Sequence, residues 1–108
     1  MSTDRLAQLL DMLAEEPGDS FLRYAIALER KRSGQNADAI TDLESLLTDQ
    51  PGHVPSYYQL ALLLIEQRRI PEAIHTCEAG SLQALVQGDR KARTELIALR
   101  DQLIEDQE

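Results

Sequence analysis

The sequence predicts an all-α fold of about six helices folded into antiparallel hairpins. Three observations carry this. Apolar residues recur at helical spacing through the chain, and no segment shows the two-residue alternation of a strand. The pairs Pro17-Gly18 and Pro51-Gly52 cut the chain into pieces of helix length. Finally, Leu9, Met12, Leu13, Pro17 and Gly18 are matched by Leu43, Leu46, Leu47, Pro51 and Gly52, each 34 residues further on.

The first helix opens at Ser2 or Thr3, either able to cap it, with Asp4 in the first turn where the dipole favours an anion. Leu6, Leu9, Leu10 and Leu13 form its stripe, with Met12 beside them. The second helix starts at a cap on Asp19 or Ser20 and runs to about Ser33, before Gly34. Phe21, Tyr24, Ala25 and Leu28 share one face. The third runs from about Asn36 to Asp49, with Ala39, Ile40, Leu43, Leu46 and Leu47 as its apolar stripe. The fourth opens at Pro55 and Ser56. The fifth opens at Pro71, which fits a first turn because its missing N–H is not needed there, and extends to about Val86, before Gly88. Asp89 caps the sixth, where Ala92, Leu96, Leu99 and Leu103 line one face with Ile97 and Ile104 near it. Glu105 to Glu108 is expected to fray.

The fourth and fifth helices hold the clearest pattern. Tyr57, Leu60, Ala61 and Leu64 stand at helical spacing, and Ala73, Cys77 and Gly80 follow after a short break. This resembles the tetratricopeptide repeat (TPR), whose pattern is aromatic-x2-Leu-small-x2-apolar, then Ala-x3-apolar-x2-small, with a period of 34 residues. Ala39, Leu43 and Leu46 match the second half of that pattern one period earlier. The first half has two candidate registers. A strict 34-residue offset uses Ile26 and Ala27 but puts Arg23 and Arg30 at the aromatic and apolar positions. An offset of 36 uses Phe21, Tyr24, Ala25 and Leu28 and buries no arginine, so it is the expected one.

The resemblance implies a right-handed α-α superhelix of stacked hairpins. It divides one domain, residues 1–108, into an N-terminal cap helix (3–16), a first repeat (20–52), a second repeat (55–86) and a C-terminal cap helix (89–105). Two departures stand out. Leu85 takes the place of the usual proline, and the last helix keeps no signature residue. Stacked hairpins bury in their neighbours what one hairpin cannot, and terminal helices turn a polar side to solvent.

Composition agrees with a soluble domain: 43% hydrophobic, 28% charged and a net charge of −8. The longest apolar stretch, Leu60 to Ile65, is far short of the roughly 20 residues that span a bilayer, so no membrane role is expected. The N-terminus has no basic and apolar leader. A lone cysteine, Cys77, rules out an internal disulfide. Together these predict a cytoplasmic protein. The negative charge argues against nucleic acid, which needs clustered cations. The acidity serves solubility, or attracts a basic partner.

Signs of chemistry are sparse. His75 and Cys77 are two apart and do not share a helix face, so they make a poor metal pair. His53 has no second ligand near it in sequence. No phosphate loop, nucleophile elbow or Cys-x2-Cys is present. No cofactor, metal or catalytic residue is expected. Arg30, Lys31 and Arg32 end the second helix, and Arg68 and Arg69 the fourth, which suits either dipole compensation or an edge that docks an acidic partner. Arg90, Lys91 and Arg93 fit both accounts.

The resemblance also implies a partner groove lined by the first helix of each repeat. It places Tyr58, Leu62 and Ile65 there, with Glu66 at the edge, and Leu22, Ile26 and Glu29 from the first repeat. The expected function is a non-catalytic scaffold that takes a partner peptide or helix on this apolar surface. The alternatives are a homodimer made through the same surface and a chaperone-like holder of a client segment. The carboxylate clamp of some TPR proteins is not expected, because Leu22, Ile26 and Gln59 hold the corresponding places.

Overall fold

A computed structural model describes residues 2–107, with side chains from Arg5 onward. The cap expected of Ser2 or Thr3 with Asp4 lies outside the described side chains. Six helices follow one another among the described residues: α1 (Ser2–Glu15), α2 (Ser20–Arg32), α3 (Asn36–Asp49), α4 (Val54–Glu66), α5 (Ile70–Gln87) and α6 (Arg90–Gln107). The all-α class read from the sequence is the class observed. The chain divides into two compact units, Met1–Gln50 and Pro51–Glu108.

The first unit holds α1, α2 and α3. Asp19 caps α2: its Oδ1 accepts from the Leu22 N–H at 3.0 Å. Leu22 and Ile26 of α2 form a cluster with Leu9 of α1, and Leu6, Leu13 and Ala25 pack against it. Leu10 and Met12, expected along the α1 stripe, are exposed. On α3, Ala39, Ile40, Leu43 and Leu46 are buried. The Gln50 amide donates to the Gly18 carbonyl at 3.0 Å, tying the end of α3 to the α1–α2 turn.

The register expected for α2 is overturned here. Its buried residues are Leu22, Ile26, Ala27 and Glu29, each 34 before Ser56, Leu60, Ala61 and Leu63, which are buried on α4. Phe21 is 73% exposed, and Tyr24, Ala25 and Leu28 are only half-buried. The strict offset wins because its arginines need no burial of charge. Arg23 donates from Nη1 to Asp49 at 2.9 Å and from Nη2 to Ser45 at 3.1 Å. Arg30 Nη1 donates to both Asp42 oxygens at 2.8 Å. Each arginine is mostly covered yet carries its charge to an acid on α3.

The second unit holds α4, α5 and α6. Tyr57, Leu60, Ala61, Leu63 and Leu64 of α4 and Ala73, Cys77, Gly80 and Ala84 of α5 are buried. Gly80 is needed for close approach. A Cβ there would lie 2.5 Å from Tyr57 Cβ and 3.0 Å from Leu96 Cδ1. The α6 helix packs along α5 and touches α4, burying Leu96 and Leu103. Asp89 caps it, its Oδ1 accepting from the Ala92 N–H at 3.1 Å. The helix includes Glu105, Asp106 and Gln107 of the tail expected to fray, and Glu108 lies outside the described residues. Gln87 donates its amide to the Gly52 carbonyl at 2.7 Å. Gly18 receives Gln50 in the same way one period earlier.

Candidate partner-binding surfaces

Helices that bury one stripe leave another for partners, so the candidate surfaces follow from the register. On α4 the buried stripe takes Tyr57, Leu60, Ala61 and Leu64. Tyr58, Leu62 and Ile65 lie beside it and are half-buried, and Glu66 is exposed. Subtracting 34 gives Tyr24, Leu28, Lys31 and Arg32 on α2. Three of these are half-buried and Arg32 is exposed, the same pattern as on α4. Thus each repeat presents an aromatic ring followed by a leucine four residues later, on a helix whose opposite side is fixed in a core.

Leu22, Ile26 and Glu29, expected on this surface, are not on it. Leu22 and Ile26 are 5% and 3% exposed because α1 covers them. Glu29 is 5% exposed and accepts from Arg32 Nη2 at 2.8 Å, with Arg5 Nε at 3.7 Å. Tyr24 and Leu28 are the half-buried residues of α2 that stand one period before Tyr58 and Leu62. The constant 34-residue period could have found both.

The expected basic edge is largely spent inside the fold. Arg30 pairs with Asp42 and Arg32 with Glu29. Arg69 Nη2 donates to Glu72 at 2.5 Å and lowers the pKa of that carboxyl. Arg68 sits in the α4–α5 turn with φ +59°, the left-handed region that glycine favours.

Groups with chemical potential are quiet. Burial pushes the Cys77 thiol up to about 11, with Glu78 adding to the shift, so little thiolate exists at neutral pH. Burial lowers the pKa of His53, whose Nδ1 lies 2.7 Å from Ser56 Oγ. Among the described residues no three His, Cys, Asp or Glu side chains gather as a metal site. No helix there is long and apolar enough to cross a membrane.

One apolar surface was not anticipated. Leu82, Leu85 and Val86 are exposed on α5, because α5 continues past the point where the family usually has a proline. The length expected for α5 already contained this stripe, which faces away from the hairpin.

The tetratricopeptide repeat family model matches residues 32–92, more than half of the chain. The chain is a tetratricopeptide repeat protein. No curated protein sequence matches it, but solved structures do. A TPR domain protein from Salinibacter ruber is 31% identical, with a TM-score of 0.78, covering 81% of this chain and 88% of that one. The TPR2B domain of yeast Sti1, solved in a complex with pHsp70, has a TM-score of 0.84 at 20% identity, covering 97% of this chain and 84% of that one. The type III secretion translocator chaperone SycD of Yersinia enterocolitica reaches 0.88 at 12% identity, covering 98% of this chain and 74% of that one. The last two likenesses are of fold alone. TPR domains are in general non-catalytic modules of protein–protein interaction.

Proposed function

We propose that this TPR protein is a non-catalytic scaffold that binds a partner peptide or helix on the stripe Tyr58, Leu62 and Ile65 of α4, a stripe that Tyr24 and Leu28 repeat on α2. The observation that carries this reading is the repetition. The same residue classes, aromatic then leucine, stand half-buried one period apart on the first helix of both repeats. Core packing does not require it, since both helices bury their other face. Affinity would come from covering apolar side chains on a surface that is already ordered, so little conformational entropy is lost by the scaffold. The buried, high-pKa Cys77 fits a reducing, cytoplasmic setting.

Tyr58, Leu62 and Ile65 also suit a homodimer, and the chaperone-like likeness of fold keeps a client-holding role as a narrower form of the first reading. One pair of experiments separates them. Affinity capture from the source lysate is run with the wild type and with Leu62→Asp, after circular dichroism shows that the variant is folded. A partner lost only in the variant supports the scaffold. A solution mass twice that of the chain, halved in Leu62→Asp, supports the dimer. Equal capture by both, from a monomer, overturns the α4 surface.

A further inference from the structure

We propose that the end of α5 and the first turn of α6 form a second docking surface, for an acidic peptide segment with apolar anchor side chains. This surface is separate from the α4 stripe and does not depend on it. Leu82, Leu85 and Val86 are 60%, 55% and 75% exposed. Their spacing puts them on one side of α5. Beside them lies a recess of about 310 Å³, lined by Ala84, Leu85, Gly88, Asp89, Arg90, Arg93 and Thr94. Leu85 belongs to both, so the stripe leads into the recess.

Charge names the occupant. The chain carries 19 acids against 11 Lys and Arg, so cations find acids easily. Arg5, Arg23, Arg30, Arg32, Arg69 and Arg100 all do so. Arg90, Lys91 and Arg93 are exposed and make no ion pair among the described residues. They occupy the start of α6, which has no acid in its first turn. The dipole disfavours cations at that end, so helix stability does not account for them. Three unpaired cations beside an apolar stripe and a concave recess match a ligand that brings carboxylates and apolar side chains together. An anionic membrane would also meet cations and apolar groups. The net charge of −8 repels such a surface, and a recess suits an inserted side chain better than a flat bilayer.

The test starts from a displayed library of random 12-residue peptides selected on the full chain. The strongest peptide is then made with a fluorophore and its affinity measured at 50 and 500 mM NaCl. The expected peptide carries Asp or Glu beside Leu, Ile or Phe, and loses affinity in high salt. The double variant Arg90→Glu/Arg93→Glu should weaken it by about tenfold or more, and Leu85→Asp should do likewise. Leu62→Asp should leave it unchanged, which separates this surface from the α4 stripe. All altered side chains are exposed or half-buried, and a thermal melt checks that each variant is folded. No enriched peptide, a neutral or basic consensus, or full affinity in the double variant overturns the proposal. So does sedimentation with phosphatidylserine vesicles that is lost in the double variant without any acidic peptide being selected.

Discussion

The two repeats solve one packing problem with different materials. In the second, Tyr57, Leu63 and Leu64 of α4 are buried apolar or aromatic side chains. In the first, the residues 34 earlier are Arg23, Glu29 and Arg30, and each is ion-paired: to Asp49, to Arg5 and Arg32, and to Asp42. The second helices differ in the complementary sense. Leu46 on α3, with no exposed surface, stands where α5 has Gly80. A bulky Tyr57 sits against a glycine in one hairpin. In the other, an arginine that reaches outward to acids goes with a leucine. Equivalent positions therefore accept either a tyrosine against a glycine or an ion-paired arginine with a leucine, so residue type is free to change so long as each hairpin stays packed and its charges are paired.

The sharpest way to break this comparison is to exchange the two positions. Leu46→Gly removes a fully buried side chain and puts glycine inside a helix. It should cost about 3–6 kcal/mol. Gly80→Ala should cost about 1–2 kcal/mol even though alanine favours helices by about 1 kcal/mol. The added methyl meets Tyr57 Cβ, which cannot move without its helix. Urea unfolding of both variants checks the pair. A stabilised Gly80→Ala would show that the close approach is not enforced.

Next in size are the ion pairs. The Arg30 and Asp42 side chains are 23% and 22% exposed, between surface and core. Burial, with Asp38 nearby, keeps the Asp42 pKa raised in spite of Arg30, so the pair adds little beyond satisfying itself. Asp42→Ala strands Arg30 and should cost about 1 kcal/mol. The double change Arg30→Leu/Asp42→Thr copies Leu64 and Thr76 from the second repeat. It should be neutral or stabilising, and a loss above about 2 kcal/mol would mean that the first hairpin cannot accept the second hairpin's core.

This difference also explains what could be read from the sequence. Helix number, the Pro-Gly breaks and the period were legible because they depend on local signals and on repetition. The register of α2 was not. Arg23, Glu29 and Arg30 look like solvent-facing residues. The acids that accommodate the arginines, Asp42 and Asp49, lie on another helix, so the one-dimensional pattern around Arg23 did not include them. The misplaced register carried the surface with it, which put Leu22 and Ile26 in a groove when α1 covers them. Tyr58, Leu62 and Ile65 were easier to place because α4 has no charged residue between Val54 and Ile65 to disguise its stripe.

The turns extend the comparison at smaller scale. Gly34 has φ +83° and Arg68, 34 later, has φ +59°. A residue with a side chain pays roughly 1 kcal/mol for this conformation. Arg68→Gly should therefore raise the unfolding free energy read from urea melts by up to about 1 kcal/mol, offset in part by the greater freedom of glycine in the unfolded chain. Gly34→Ala should lower it by a similar amount.

The smallest effect tests the helix starts. Asp19 caps α2 through its side chain, whereas His53, one period later, makes no side-chain cap on α4. The Ser56 N–H already donates to the His53 carbonyl at 3.1 Å, and His53→Asp gives up the contact with Ser56 Oγ, so a carboxylate there should change stability by no more than about 0.5 kcal/mol, less than a new cap is ordinarily worth. The change should also alter the pH profile. Burial holds the folded pKa of His53 below its ordinary 6.5, so the unfolded chain takes up this proton first as pH falls. The contribution is present in full above about pH 6.5 and is lost as pH drops through the folded value. Urea midpoints measured from pH 8 to pH 5 should fall in that window for the wild type. In His53→Asp this component should vanish, because the replacement carboxylate stays ionised across it. Identical profiles would mean that His53 remains solvated enough to protonate freely.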